Sequence, residues 1–254
     1  MCCALLGFIL LRAQTKASLR DSDANVGKIR IYIDQGHNPA PHHNTGAEGN
    51  GLYEQDLTFD IGHRLAALLT ADGRFEVCLS RPNEDSVLGI DNVSSLQARV
   101  DGAIDFEADY FISLHINAYT QDSANGIEVL FSEKDMESYV MGRTLLYGML
   151  DSTGLENRGM KRGADLYVLK HAAMPAVLLE MGFISNGDDA ALLSEHPELF
   201  AQGIYEGICD YFETPYTLEI SILLGVIGIS VIIVDILIFV LYTQTKQKNA
   251  KQAK

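Results

Sequence analysis

The chain has 254 residues, 47% of them hydrophobic and 21% charged, with a formal net charge of −15. That balance fits one large or two small domains around a buried core and excludes a disordered chain. Residues 28–213 hold 12 Lys and Arg against 30 Asp and Glu, a net of −18, which excludes a general attraction to nucleic-acid phosphates.

In chain order, Cys2–Leu11 is ten apolar residues, the length of a signal-peptide core and too short to span a bilayer. Residues 12–27 are polar and read as a linker. Lys28–Asp34 is expected to be a strand, followed by a Gly, Asn, Pro and His loop to Tyr53. Leu57, Ile61, Leu65 and Leu68 predict a helix over Glu54–Thr70. A strand at Arg74–Ser80, a helix at Val93–Phe106 and strands at Tyr110–Asn117 and Gly126–Phe131 come next. A helix near Asp135–Leu150, strands at Leu166–Lys170 and Ala176–Glu180, and a helix at Pro197–Phe212 complete the body. Alternation of this kind predicts an α/β domain at 28–213, with a mixed, largely parallel sheet flanked by helices. After a short linker at 214–219, Ile220–Tyr242 is 23 residues long with Asp235 as its one charge. As a helix it extends about 35 Å, enough to cross a hydrocarbon core of about 30 Å. Lys246, Lys248, Lys251 and Lys254 in the tail 243–254 favour an inside C-terminus and an outside domain. Cys2, Cys3, Cys78 and Cys209 show no CxxC spacing, against a disulfide scaffold or a thiolate zinc site.

Three polar residues share one placement. His37 follows the first strand, His115 lies in Tyr110–Asn117, and Glu180 ends the run Ala-Val-Leu-Leu. Sites in open α/β sheets collect beyond the carboxyl ends of strands, so these three are expected to converge. Glu54, at the start of the first helix, is placed to join them. Two His and a Glu around a cation with one open position is a catalytic zinc arrangement. A carboxylate after so apolar a run also needs a partner, because burying it alone is costly.

The residues Asp34-Gln35-Gly36-His37, Glu54-Gln55-Asp56-Leu57, Ser113-Leu114-His115-Ile116-Asn117-Ala118 and Leu179-Glu180-Met181-Gly182-Phe183-Ile184-Ser185-Asn186 carry a resemblance. In order and spacing they resemble the type 3 zinc N-acetylmuramoyl-L-alanine amidases, over residues 28–213. The resemblance implies one Zn2+ held by His37, Glu54 and His115, with Glu180 as catalytic acid/base. It implies hydrolysis of the amide between N-acetylmuramic acid and L-alanine in peptidoglycan, with Glu180 taking a proton from zinc-bound water. Gln35 and Asn38 stand where the family usually has Pro and Gly, which bears on the shape of the loop and not on the ligand. His42 and His43 lie nearby, but adjacent residues rarely both reach one ion. His63, His171 and His196 match no family ligand.

An acidic stem peptide needs local cations on so acidic a domain. Arg81, Arg99, Arg158, Lys161 and Arg162 are candidates for that role, with Asn117 beside the site. The expected partners are peptidoglycan and, through 220–242, the cell membrane, with the domain facing the wall and no nucleic acid involved. Two other readings compete: a zinc peptidase of the wall, and a tethered wall-binding protein without catalysis.

Overall fold

The computed structural model describes residues 27–213. The apolar segment at 2–11, the expected membrane span at 220–242 and the basic tail lie outside the described residues. Among the described residues no helix is long and apolar enough to cross a membrane. The chain divides into two compact units, Met1–Ile208 and Cys209–Lys254, and the second is described only to Glu213.

The strands are β1 (Ile29–Gln35), β2 (Glu48–Gly49), β3 (Leu52–Tyr53), β4 (Phe75–Leu79), β5 (Tyr110–Asn117), β6 (Ile127–Phe131), β7 (Asn157–Arg162) and β8 (Ala176–Phe183). The helices are α1 (Glu54–Asp72), α2 (Asn92–Asp105), α3 (Met136–Thr153), α4 (Tyr167–His171), α5 (Gly187–Glu195) and α6 (Pro197–Glu213). Six strands form one sheet in the order β4-β1-β5-β8-β6-β7. Every pairing in it is parallel except β6 with β8, so the sheet is mixed and largely parallel, as expected.

Strand alternation gives each face its own residues. One face carries Tyr32, Phe111, Ala176 and Leu178, buried with Val100 and Ala103 of α2 and Val168 and Leu169 of α4. On the other face Ile31, Ile33, Ile112 and Leu114 are fully buried, as are Ile61, Leu65 and Leu69 of α1. Each such side chain contributes about 1.5–3 kcal/mol when taken out of water. α3 and α6 approach closely because Gly148, Gly203 and Gly207 present no side chain where they cross. A Cβ on Gly207 would lie 2.6 Å from the Thr144 carbonyl.

Most of the expected elements form within a few residues of their expected ends. Leu166–Lys170 does not: it is the short helix α4, in which Ala172 N–H donates to Val168 O. Five apolar-rich residues have too short a period to separate strand from helix.

Candidate active site

The tip of β1 lies against β5 at Gly36, whose N–H donates to Leu114 O. A Cβ at Gly36 would lie 2.5 Å from that carbonyl and 2.6 Å from the His115 ring, so only glycine fits. His37 follows with φ of +69°, a left-handed conformation that a non-glycine residue adopts at a cost of about 1–2 kcal/mol. The cost is met by fixed partners. The His37 carbonyl accepts from Arg99 Nη2 at 2.6 Å, and its Nδ1 lies 3.2 Å from Asn44 O. A carbonyl can only accept, so Nδ1 carries the proton and Nε2 is left facing inward. Asn38 shapes the loop that follows. Its buried amide donates to His43 O and Leu88 O and accepts from Leu88 N–H. Gln35 is also buried, accepting from Arg81 N–H at 2.8 Å. The two departures from the family pattern are therefore structural residues of this loop.

Glu54 opens α1, and its carboxylate is the hub. Oε2 accepts from Ala47 N–H at 2.8 Å and Oε1 from Ile116 N–H at 2.9 Å. Oε1 also lies 3.1 Å from His37 Nε2 and 3.1 Å from His115 Nδ1. Burial pushes this carboxyl up, but the two imidazoles outweigh it and hold it far below the usual carboxylate range. The ligand atoms of His37, Glu54 and His115 all lie within 4.8 Å of one another. Among the described residues this is the one such group of three or more. His42 and His43 are not part of it.

Glu180 stands beside this group. In the parallel pairing of β5 and β8 it is the register partner of His115, and in the antiparallel pairing of β8 and β6 that of Glu128. Register partners project to the same face, so His115, Glu180 and Glu128 form a row. It continues, at the strand ends, the face that Phe111 and Leu178 begin. Glu180 Oε2 is buried with no hydrogen-bond partner. Burial, then the charges of Glu54 and Glu128, push its carboxyl up to about 8.

Asn117 belongs to the same patch: its Nδ2 donates to Glu128 Oε1 at 3.2 Å. The other Glu128 oxygen accepts from Arg158 Nε at 3.1 Å. Two candidates for binding an acidic peptide are corrected by the fold. Arg99 is 1% exposed, paired with Asp34 and donating to Gln35 O, and so ties α2 to the tip of β1. Arg81 is also 1% exposed, donating to Gln55 O from the floor of a cavity of about 540 Å³ rimmed by Asp56, Asp60, Glu84 and Asp85. Four carboxylates there repel an acidic ligand. Arg162 pairs with Glu133 at the opposite end of β7 from the row.

Several supporting residues were not singled out from the sequence. Gln55 accepts from Gly46 N–H and fixes the loop before Glu54. Buried Asp189 accepts from Gly126 N–H and Phe183 N–H, holding the start of β6 against the end of β8. Its position in the first turn of a helix capped by Asn186 was the available signal.

LytC, an N-acetylmuramoyl-L-alanine amidase of Bacillus subtilis, is 36% identical over 202 residues, 78% of this chain and 38% of LytC. The germination-specific N-acetylmuramoyl-L-alanine amidase of the same organism is 29% identical over 224 residues, 82% of this chain and 92% of that protein. Among solved structures, the N-acetylmuramoyl-L-alanine amidase AmiC2 of Nostoc punctiforme superposes with a TM-score of 0.65 at 30% identity. That match covers 74% of this chain and 99% of AmiC2. The model of the N-acetylmuramoyl-L-alanine amidase family matches residues 31–210, and the chain belongs to that family.

Proposed function

We propose that this protein hydrolyses the amide bond between N-acetylmuramic acid and L-alanine in peptidoglycan, in a zinc-dependent reaction with Glu180 as general base. The observation that carries it is the meeting of two imidazole nitrogens on one carboxylate oxygen, beside a buried carboxyl with an unpartnered oxygen. Those residues fit a metal. His37 Nε2 faces Glu54 Oε1 while Nδ1 is committed to Asn44 O, so a lone pair meets a lone pair unless a cation or a proton lies between them. His37, Glu54 and His115 would hold a zinc ion, which when bound acidifies water and stabilises negative charge on a carbonyl oxygen.

The chain's own groups supply the rest. Glu54 is positioned by two backbone N–H donors, which leaves it ionised and unable to rotate away. Glu180 is a poor base while its carboxyl sits near 8, and a cation beside Glu54 lowers it toward the range of a working base. It then accepts a proton from the attacking water and returns it to the departing L-alanine amine.

The test is Glu180→Gln on purified cell wall, with new amino groups on L-alanine as the readout. Metal content and folding are expected to survive while release of L-alanine termini falls about 10²–10⁴-fold. Chelation is expected to abolish release in the wild type, and zinc to restore it. Near-normal turnover in the variant removes Glu180 from the chemistry, and new termini elsewhere in the peptide make the protein a peptidase.

The segment 220–242 supports membrane anchorage by its length and the lysines that follow, with the domain facing the wall.

A further inference from the structure

The reactive row extends one strand further, to Arg158. β6 and β7 run parallel, with Ile127 opposite Asn157 and Glu128 opposite Gly159, so Arg158 is an extra residue in a bulge. Bulges re-aim side chains beside sites, and here Gly159, at φ of +82°, takes the conformation that the bulge demands. The re-aimed guanidinium is held by three contacts. Nε donates to Glu128 Oε2, Nη1 donates to Asn125 O at 3.3 Å, and the group lies 4.7 Å over the Phe183 ring. A guanidinium has five N–H donors, and these contacts use two. The side chain is 37% exposed, against 14% for Glu128, so Arg158 is the more open member of the pair.

The setting makes this cation informative. Glu54, Glu180 and Glu128 bring three carboxyls together on a domain that is already strongly acidic. Arg99 and Arg81 are buried, Arg162 lies at the far end of β7, and Lys161, opposite Leu130, is displaced two residues from the row toward that end. An anionic part of a substrate therefore meets Arg158 first. The β7 backbone lies two strand spacings of about 4.8 Å, about 10 Å in all, from β8, and the Arg158 side chain reaches back past Glu128 to Phe183 at the end of β8. An extended peptide covers about 3.3–3.6 Å per residue, which brings the residue after L-alanine within reach of the guanidinium.

Resting on the amidase reading, the geometry points to Arg158 as the specificity residue for a free carboxylate on the second residue of the stem peptide. The leaving peptide lies along Glu180, Glu128 and Arg158, and Phe183 keeps the guanidinium plane fixed for paired hydrogen bonds.

The experiment uses the full chain with zinc and two substrates, N-acetylmuramoyl-L-alanyl-D-isoglutamic acid and its isoglutamine counterpart, compared by kcat/KM. Wild type is expected to prefer the acid by about 10- to 100-fold, the range of a hydrogen bond to a charged group. In Arg158→Gln that preference collapses to near unity, while Arg162→Gln keeps it. A loss of equal size on both substrates, or an unchanged preference, overturns the assignment and leaves the amidase reading standing. A second readout is independent of turnover: calorimetric binding of the L-alanyl-D-isoglutamate peptide to metal-free protein, expected to weaken about tenfold or more in Arg158→Gln. Cleavage of neither substrate by wild type sinks the amidase reading, and the peptide titration still decides the role of Arg158. Equal binding to wild type and variant there overturns it.

Discussion

Asp34 and Glu180 are both buried carboxyls on the same face of the sheet, and their surroundings send them in opposite directions. Around Asp34, burial pushes the carboxyl up, but the Arg99 guanidinium and the Ser113 hydroxyl outweigh it and hold it below 3.8. For Glu180, burial and the charges of Glu54 and Glu128 push the carboxyl up instead. The Asp34–Arg99 pair holds the loop that carries His37, since the same guanidinium donates to Gln35 O and His37 O. Removing one partner of a buried pair strands the other, at a cost of about 3–5 kcal/mol. Arg99→Ala is therefore expected to lower the urea midpoint strongly at neutral pH. The sign with pH follows from the direction of the shift. A depressed carboxyl stabilises the fold above its unfolded value of 3.8, and that stabilisation is lost as pH falls through its folded value. Without Arg99, burial raises Asp34 and its charge destabilises the fold, so the gap between variant and wild type narrows as pH falls, first through the raised value in the variant above 3.8 and then through the depressed value in the wild type below it. A gap that is constant or widens toward acid would show that Asp34 is not the stranded group.

Between β2 and β3 the chain turns through Asn50 and Gly51, at φ of +50° and +74°. Two positive φ values in a two-residue loop are the type I′ hairpin, and Asn-Gly is its strongest short signal. The hairpin leads directly into Glu54, and Asn50 Nδ2 ties it to Ile184 O at 2.8 Å. Nothing lies within 4 Å of a Cβ built on Gly51, so a substitution there costs only backbone strain. Gly51→Ala is expected to lower stability by about 1 kcal/mol in urea unfolding, and Gly51→Asn to recover most of it. Equal effects of the two substitutions would rule out the left-handed turn as the cause. The Asn-Gly signal of this hairpin is masked in the sequence, because the residues around it look like an extended loop. β7 was harder to see. Asn-Arg-Gly-Met-Lys-Arg has no alternation, because an edge strand is protected by charge and not by burial. By contrast the convergence of His37, Glu54 and His115 beside Glu180 follows from strand and helix ends with a strong pattern. The burial of Arg81 and Arg99 has no such signal: nothing local in sequence announces that a guanidinium will be buried against carbonyls from elsewhere.

At the scale of the whole molecule, the catalytic face and the C-terminus must suit one location. The lysines after Tyr242 predict an inside C-terminus, so the domain should lie outside, close to the bilayer. Six residues at 214–219 extend at most about 22 Å. Protease added to cells stripped of their wall is expected to digest residues 28–213 and to spare a C-terminal tag. Digestion of the tag with protection of the domain would reverse the orientation and remove the wall as a substrate.

The reversed direction of β6 separates two tasks that an all-parallel sheet would mix. Its first residues, not its last, arrive beside Glu180, so the 118–126 connection borders the reactive row. The 132–135 connection leaves from the other end of the sheet. Lengthening the first would reshape what the enzyme can admit, whereas lengthening the second would add a handle without touching chemistry. The molecule thus has one edge for tuning selectivity and another for accepting fusions, and a tag or partner domain inserted near Lys134 should travel with a working enzyme.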